Sequence, residues 1–170
     1  MHVTSREGWA AIHGMILGVP FLLAFAGGLA GLYSLRPELL TTAGVVERTR
    51  RLALGVWVMA GVAWLAVISG TWIVYPWYRA ETATSPKTTL LADPNTAQWH
   101  EFGMEWKEHV AWIAPLLATA VAFAVTYYGR NLIKHDGVRK LLMGLFIAAF
   151  VAAGVAGIMG AFITKVAPIK

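Results

Sequence analysis

The chain has 170 residues, of which 58% are hydrophobic and only 14% charged, with a formal net charge of +5. A soluble domain of that length cannot bury so much apolar surface, so the composition belongs to a membrane protein. The absence of cysteine excludes disulfides, thiolate zinc sites, iron–sulfur clusters and covalently attached c-type haem. The basic surplus lies in short loops between apolar runs, with no phosphate-binding glycine loop and no nucleic-acid motif.

The N-terminal stretch MHVTSREGW has one arginine and one glutamate instead of a basic region, and the apolar run behind it covers 8–33. That pattern predicts a retained first span, not a cleaved signal peptide. The span carries His13 within AIHGMILGVPF, Gly14 and Gly18 one turn apart, an expected kink at Pro20, and a glycine-rich face at Gly27, Gly28 and Gly31. The second span is predicted over 52–77. The outer loop that follows, 78–105, is the longest polar segment, with turn signals at Ser85-Pro86 and Asp93-Pro94-Asn95. Asn95 or Thr96 is expected to cap a helix that starts before the membrane. The third span, 106–128, then has WHEFGMEW as its extramembrane entrance and a second expected kink at Pro115. The fourth span is 138–163, with glycines at Gly154, Gly157 and Gly160. Each run reaches the roughly 20 residues that cross a bilayer core as a helix. Continuous apolar runs without alternation mean helices and not barrel strands. The predicted fold is therefore all-α, an integral membrane four-helix bundle forming a single transmembrane domain over 1–170.

Charge sets the expected orientation. The first loop contains Arg36, Arg48, Arg50 and Arg51, and the third contains Arg130, Lys134, Arg139 and Lys140, against the acids Glu38, Glu47 and Asp136. On the other side, Arg6, Arg79, Lys87, Lys107, Lys165 and Lys170 are balanced by Glu7, Glu81, Asp93, Glu101, Glu105 and Glu108. The positive-inside rule puts the first and third loops in the cytoplasm and both termini on the outer, periplasmic side. Trp72, Trp77, Tyr78, Trp99 and Trp106 are expected to form an outer aromatic belt.

Ionisable residues inside spans are costly, so each is a functional candidate. His13 is the clear case, and His109 stands at the edge of the third span in EWKEHVAW. His13 follows Trp9 by four residues and His109 follows Trp106 by three, so on parallel helices both imidazoles fall about 5–6 Å below an interfacial tryptophan. Two imidazoles at one depth can clamp an iron porphyrin from both faces, as bundle haem sites do. Gly14 and Gly18 would leave room for a flat macrocycle, and Lys107 would neighbour a haem propionate. The competing accounts are plain helix packing for Gly14-x-x-x-Gly18, and a hydrogen bond across a helix joint or exposure at the interface for the histidines. Ligation of another metal or a pigment is a third.

His2 sits at the terminus and His135 in a charged loop. His100 lies nine residues, or about half a turn off, from His109, so the two point to opposite sides of one helix. His100 and Met104, at i and i+4, offer at most a partial copper site. Glu101, Glu105 and Glu108 share one face beside His109, which is either a solvated helix start or an acidic docking and proton-exit surface.

An early histidine in the first helix, AIHGMILGVPF, and another at the start of the third, EWKEHVAW, resemble the small four-helix b-type cytochrome membrane subunits of bacterial respiratory complexes. The resemblance implies one bis-histidine haem b held by His13 and His109 in the bacterial inner (cytoplasmic) membrane. It implies electron transfer between the quinone pool and an outward-facing redox protein within a larger complex, with a quinone as a further ligand. Only one haem is supported, because no histidine lies in the cytoplasmic half of any span. The alternative is a cofactor-free structural or assembly subunit of a respiratory or photosynthetic complex, whose glycine faces bind neighbouring subunits. A third possibility is a membrane metalloenzyme using His100, Met104 and nearby carboxylates.

Overall fold

A computed structural model describes residues 3–168; His2 and Lys170, weighed above, lie outside the described residues. Those residues fold into helices α1 (Ser5–Ser34), α2 (Thr42–Tyr78), α3 (Pro86–Leu91), α4 (Pro94–Lys134) and α5 (Asp136–Val166), with no strand among them. All but α3 are long and apolar enough to cross a membrane, so the all-helical, multi-pass reading holds.

The helices begin where local chemistry caps them, not where the apolar runs begin. At the start of α1, Thr4 and Glu7 form a reciprocal capping box, with the Glu7 amide on Thr4 Oγ1 at 3.2 Å and the Thr4 amide on Glu7 Oε2 at 2.8 Å. Thr41 accepts the Gly44 amide at 3.2 Å and starts α2 ten residues ahead of the expected 52. The extra turns are polar and carry the exposed Glu47–Arg50 and Glu47–Arg51 pairs. The segment expected as a loop over 78–105 is largely helical. Ser85 caps α3, and α4 starts at Pro94 with Asp93 as its cap, its Oδ1 taking the Asn95 amide at 2.9 Å. Asn95 and Thr96 are therefore inside the helix, and Pro94 takes the first helical position, where its missing N–H costs nothing. The regular part of α4 ends at Gly129, whose φ of +50° is the one positive value among the described residues. A side chain there would be strained, and the chain can turn tightly into α5.

α1 packs on α2 and α5, and α4 packs on the same two helices, so α1 and α4 stand across the diagonal of the bundle. The main apolar cluster includes Phe21, Leu32, Val56, Met59, Val121, Val125, Leu142 and Phe146. Phe146 is fully buried and stacks on Phe25 at 5.2 Å. It reaches that place because Gly28 has no side chain: a Cβ there would lie 2.7 Å from Phe146 Cε1. Gly31 makes the same allowance for Leu52. At the end of the bundle formed by the first and third loops, the buried Arg139 donates to the Leu35 carbonyl at the C-terminus of α1 and to Asp136. A cation there satisfies a carbonyl that the helix leaves free.

The opposite end, which holds loop two, is wound differently. π-helical stretches occupy Ile12–Gly18 in α1, Gly70–Val74 in α2 and Trp99–Met104 in α4. The first two run directly up to Pro20 and Pro76. A proline lacks the N–H and its ring pushes on the carbonyl four residues back, and a wider turn reseats those carbonyls. At Pro115 the adjustment is a break over 110–112, where Ala111 N bonds Trp106 O at 3.2 Å and Ile113 N bonds Val110 O at 3.0 Å. The kinks expected at Pro20 and Pro115 thus take the form of local changes in winding. Leu90 of α3, fully buried, seals this end against Tyr78, Met104, Ile163 and Ala167.

Candidate functional site at the loop-two end

His13 lies within the π-helical part of α1 and turns toward α2. Its Nδ1 is 2.8 Å from the Ala66 carbonyl and 3.3 Å from Ser69 Oγ. A carbonyl only accepts, so Nδ1 carries the proton and Nε2 is left with its lone pair. Ser69 also donates to the Ala66 carbonyl, at 3.0 Å. The imidazole rests on Gly70, where a Cβ would come within 2.7 Å of His13 Cε1. The ring is therefore fixed in orientation by a backbone carbonyl, the arrangement that orients metal-ligating histidines. It is also a complete hydrogen-bonded joint between α1 and α2.

Lys107 is half-buried and folds toward α5, where its Nζ donates to the Ala156 carbonyl at 3.3 Å and fills the space left by Gly160, 2.9 Å from where a Cβ would be. It has no carboxylate partner among the described residues. His109 is elsewhere. Its side chain is 71% exposed, and its Nδ1 donates to the Glu105 carbonyl one turn back at 3.0 Å, again leaving Nε2 free. The structure does not bring His13 and His109 together: α2 receives His13 at Ala66–Gly70, whereas the 105–109 segment of α4 faces Tyr75 and Arg79. For a haem, the fit is met at His13 and by the lone Lys107 charge, and it is not met at His109 as the chain stands. Gly14 is exposed with open space around it, and Gly18 would touch only the backbone of its own helix. Neither is pressed against another helix.

A second group of residues, unforeseen in the sequence, joins α2 to α4. Tyr75 donates to Glu108 Oε2 at 2.8 Å, and Arg79 donates to both oxygens of the same carboxylate, at 2.9 and 3.1 Å. Arg79 also lies 3.6 Å from Glu105, whose other oxygen is 3.4 Å from His109 Nδ1. Burial opposes the Arg79 charge, but the hydrogen bonds to Glu108 outweigh it and hold the guanidinium above its ordinary value. Deeper in, the Tyr78 hydroxyl meets His100 Nδ1 at 2.9 Å, with both residues buried. Tyr78 is therefore an interior residue and not part of an interfacial belt. Trp99 and Trp106 also turn to α5, Trp99 stacking on Phe162 at 4.6 Å and Trp106 reaching the Ala152 carbonyl, while Trp72 stays 63% exposed. The signal that would have found the network is YPWYR: Tyr75, Tyr78 and Arg79 stand at i, i+3 and i+4 and present one polar row on α2.

The glutamate face thus divides by residue. Glu108 is clamped between helices, Glu105 is shared between Arg79 and His109, and Glu101 is exposed. His100 is buried and His109 exposed, as their spacing requires, and no group of three metal-binding side chains forms among the described residues. His135 is exposed and packs edge-on to Tyr128 at 5.1 Å. Chemically, the end offers one oriented imidazole with a free Nε2, one unpaired ammonium, and a hydrogen-bonded row of phenol, carboxylate and guanidinium that joins α2 to α4. Comparisons with protein-family models, curated proteins and solved structures find no match to this chain.

Proposed function

We propose that the chain is a membrane subunit of a bacterial electron-transfer complex that holds one b-type haem at its loop-two end. In this reading His13 and His109 would hold the haem iron, and Lys107 would balance a propionate charge. Both termini and loop two face the periplasm, and electrons pass between the quinone pool and an outward-facing redox protein. The haem supplies the electron chemistry; the chain's residues orient the ligand, exclude water and balance charge. The observation that carries the reading is the His13 geometry: Nδ1 fixed on the Ala66 carbonyl, Nε2 free, and the ring set against Gly70. The reading requires the 105–109 segment to turn inward. That segment is bounded by the π-helical stretch Trp99–Met104 and by the break at 110–112, and turning it would release Glu108 from Tyr75 and Arg79.

The test is a visible spectrum of the protein purified with its native partners, oxidised and then reduced by dithionite, with a pyridine haemochrome assay. A b-type α-band lost in both His13→Ala and His109→Ala, and kept in His100→Ala, is the expected result. A band that survives His109→Ala reassigns the second ligand.

A cofactor-free structural subunit is the second reading, and the exposure of His109 together with the completed His13–Ala66 joint favours it. Here Gly28, Gly31 and Gly160 serve packing within the chain, and Gly27 and Gly154, which have open space, face neighbours. No α-band in any preparation, with complex assembly weakened by His13→Ala, is its signature.

A further inference from the structure

The first and third loops enclose a cleft of about 410 Å³ lined by Arg36, Pro37, Glu38, Ile133, Asp136, Arg139 and Lys140. We infer that this cleft binds the phosphate of an acidic phospholipid head group from the leaflet this end of the bundle reaches.

The argument starts with Arg36. Its guanidinium carbon lies 4.0 Å from the centre of the Tyr33 ring, and its Nε donates to the Tyr33 carbonyl at 3.2 Å. Nε and the flat face of the group are therefore occupied, while its two terminal nitrogens make no hydrogen bond in the described structure, and it forms no salt bridge there. A planar fork held in place with its donors open suits a phosphate. Tyr33 is 50% exposed at the end of the apolar part of α1, where a tyrosine marks the head-group level.

The acids in the cleft do not cancel this. Asp136 is already taken by Arg139 and by Lys140 at 2.7 Å, the latter 70% exposed and so keeping donors for a ligand, and Glu38 alone carries a free carboxylate. Arg139 is buried and spent on Leu35 and Asp136, so it shapes the floor of the cleft instead of binding the ligand. Arg48, held on Ser34 Oγ at 3.0 Å, adds a further positive charge at the same end of the bundle. Exposed apolar residues on the adjoining helices, such as Leu23 of α1 and Leu141 of α5, offer acyl chains a surface that a free anion cannot use. Basic clefts between spans bind acidic head groups for these reasons, at about fivefold in affinity for each cation near the surface.

The experiment is lipid retention. Protein in mixed micelles or nanodiscs of phosphatidylglycerol and phosphatidylcholine is passed through delipidating washes, and bound lipid is counted by native mass spectrometry. The expected result is selective retention of phosphatidylglycerol. The double variant Arg36→Gln with Lys140→Gln should lower that retention by more than tenfold, at about fivefold per charge. Arg50→Gln with Arg51→Gln removes the same charge outside the cleft, from residues already paired with Glu47, and should lower retention far less. Millimolar inorganic phosphate should displace lipid weakly if the head group binds as part of a lipid; full displacement assigns the cleft to a free anion and overturns the lipid proposal. Equal retention of the two lipids, or equal losses in the two double variants, overturns it also. Helical content and elution volume of each variant separate a lost site from a lost fold.

Discussion

The two ends of the bundle are built by different rules. Toward the basic end, α2 over Thr42–Ser69, α4 over Ile113–Tyr128 and all of α5 are uninterrupted α-helix around one apolar cluster. At the loop-two end three helices change winding, and the polar side chains on α1, α2 and α4 make the cross-links: His13 to Ala66, Tyr75 and Arg79 to Glu108, Tyr78 to His100. Only α5 runs straight through both ends. The regular end rests mainly on its large apolar cluster, with Trp57–Thr126, Trp64–Thr119 and Arg139–Leu35 hydrogen bonds added, whereas at the interrupted end a small cluster is joined by a denser set of polar links. Within lipid the apolar faces gain little from mere burial, so close packing and internal hydrogen bonds carry the difference. The irregular winding is also where side chains of chemical interest are aimed inward, as π-helical turns commonly do.

The largest effect should come from the packed end. Phe146→Ala removes a fully buried ring that fills the notch at Gly28 and contacts Phe25, and should destabilise the protein by about 3 kcal/mol. The measurement is thermal or denaturant unfolding in detergent, followed by helical circular dichroism. A loss below 1 kcal/mol would mean that the bundle collapses around the gap and that the two ends do not differ in this way.

At the polar end, Glu108→Gln takes the charge from a carboxylate shared by Tyr75 and Arg79. The expected cost is about 1–2 kcal/mol, below the value for a fully buried pair because the Arg79 side chain is 35% exposed. Tyr75→Phe combined with Glu108→Gln should cost less than the sum of the single changes, since the first removes and the second weakens the same hydrogen bond. Strict additivity would show that the hydrogen bond to Tyr75 contributes nothing in solution.

How much of this was legible in sequence depends on the kind of residue. The four membrane-capable helices follow from run length alone, and His13 stands out because an imidazole in AIHGMILGVPF has no other polar company. Helix ends were less legible. The apolar criterion marks the lipid-facing stretch, whereas α2 and α4 continue through polar turns to caps at Thr41 and Asp93. Of the Tyr75–Glu108–Arg79 network only the polar row of YPWYR is legible; its partner on α4 depends on which faces of α2 and α4 meet, and that is set by packing. Tyr78 was read as an interfacial aromatic for the same reason. The interior side of a span and its lipid side are both apolar, so hydropathy cannot tell them apart. A matched depth for His13 and His109 rests on spacings of four and three residues from tryptophans along ideal helices, and both helices are rewound between the membrane edge and the histidine or just after it.

The placement of His13 has a test that changes sign. Gly70→Ala should cost about 1–2 kcal/mol in the natural chain, because the new methyl would stand 2.7 Å from an imidazole that its bond to Ala66 prevents from retreating. In a His13→Ala background the same substitution should stabilise by about 0.5 kcal/mol, since alanine restricts the unfolded helix segment more than glycine does. The same sign in both backgrounds would place the ring away from Gly70.

The smallest expected effect concerns where α4 begins. Asp93→Ala removes the side chain that accepts the Asn95 amide at 2.9 Å and should cost about 0.5–1 kcal/mol, read as fraying of the 94–98 turn in amide hydrogen exchange. Asn95→Ala should change exchange far less, because its side chain only returns a hydrogen bond to Asp93 at 3.0 Å. The fraying should stop short of Leu90 and Met104, which are sealed into the cluster with Tyr78 and Ile163. If it spreads to that cluster, the helical start of α4 is what holds the loop-two end together. If it stays local, that work is done by Leu90 and by the hydrogen bonds to Glu108 and His100, and the cap only sets the first turn.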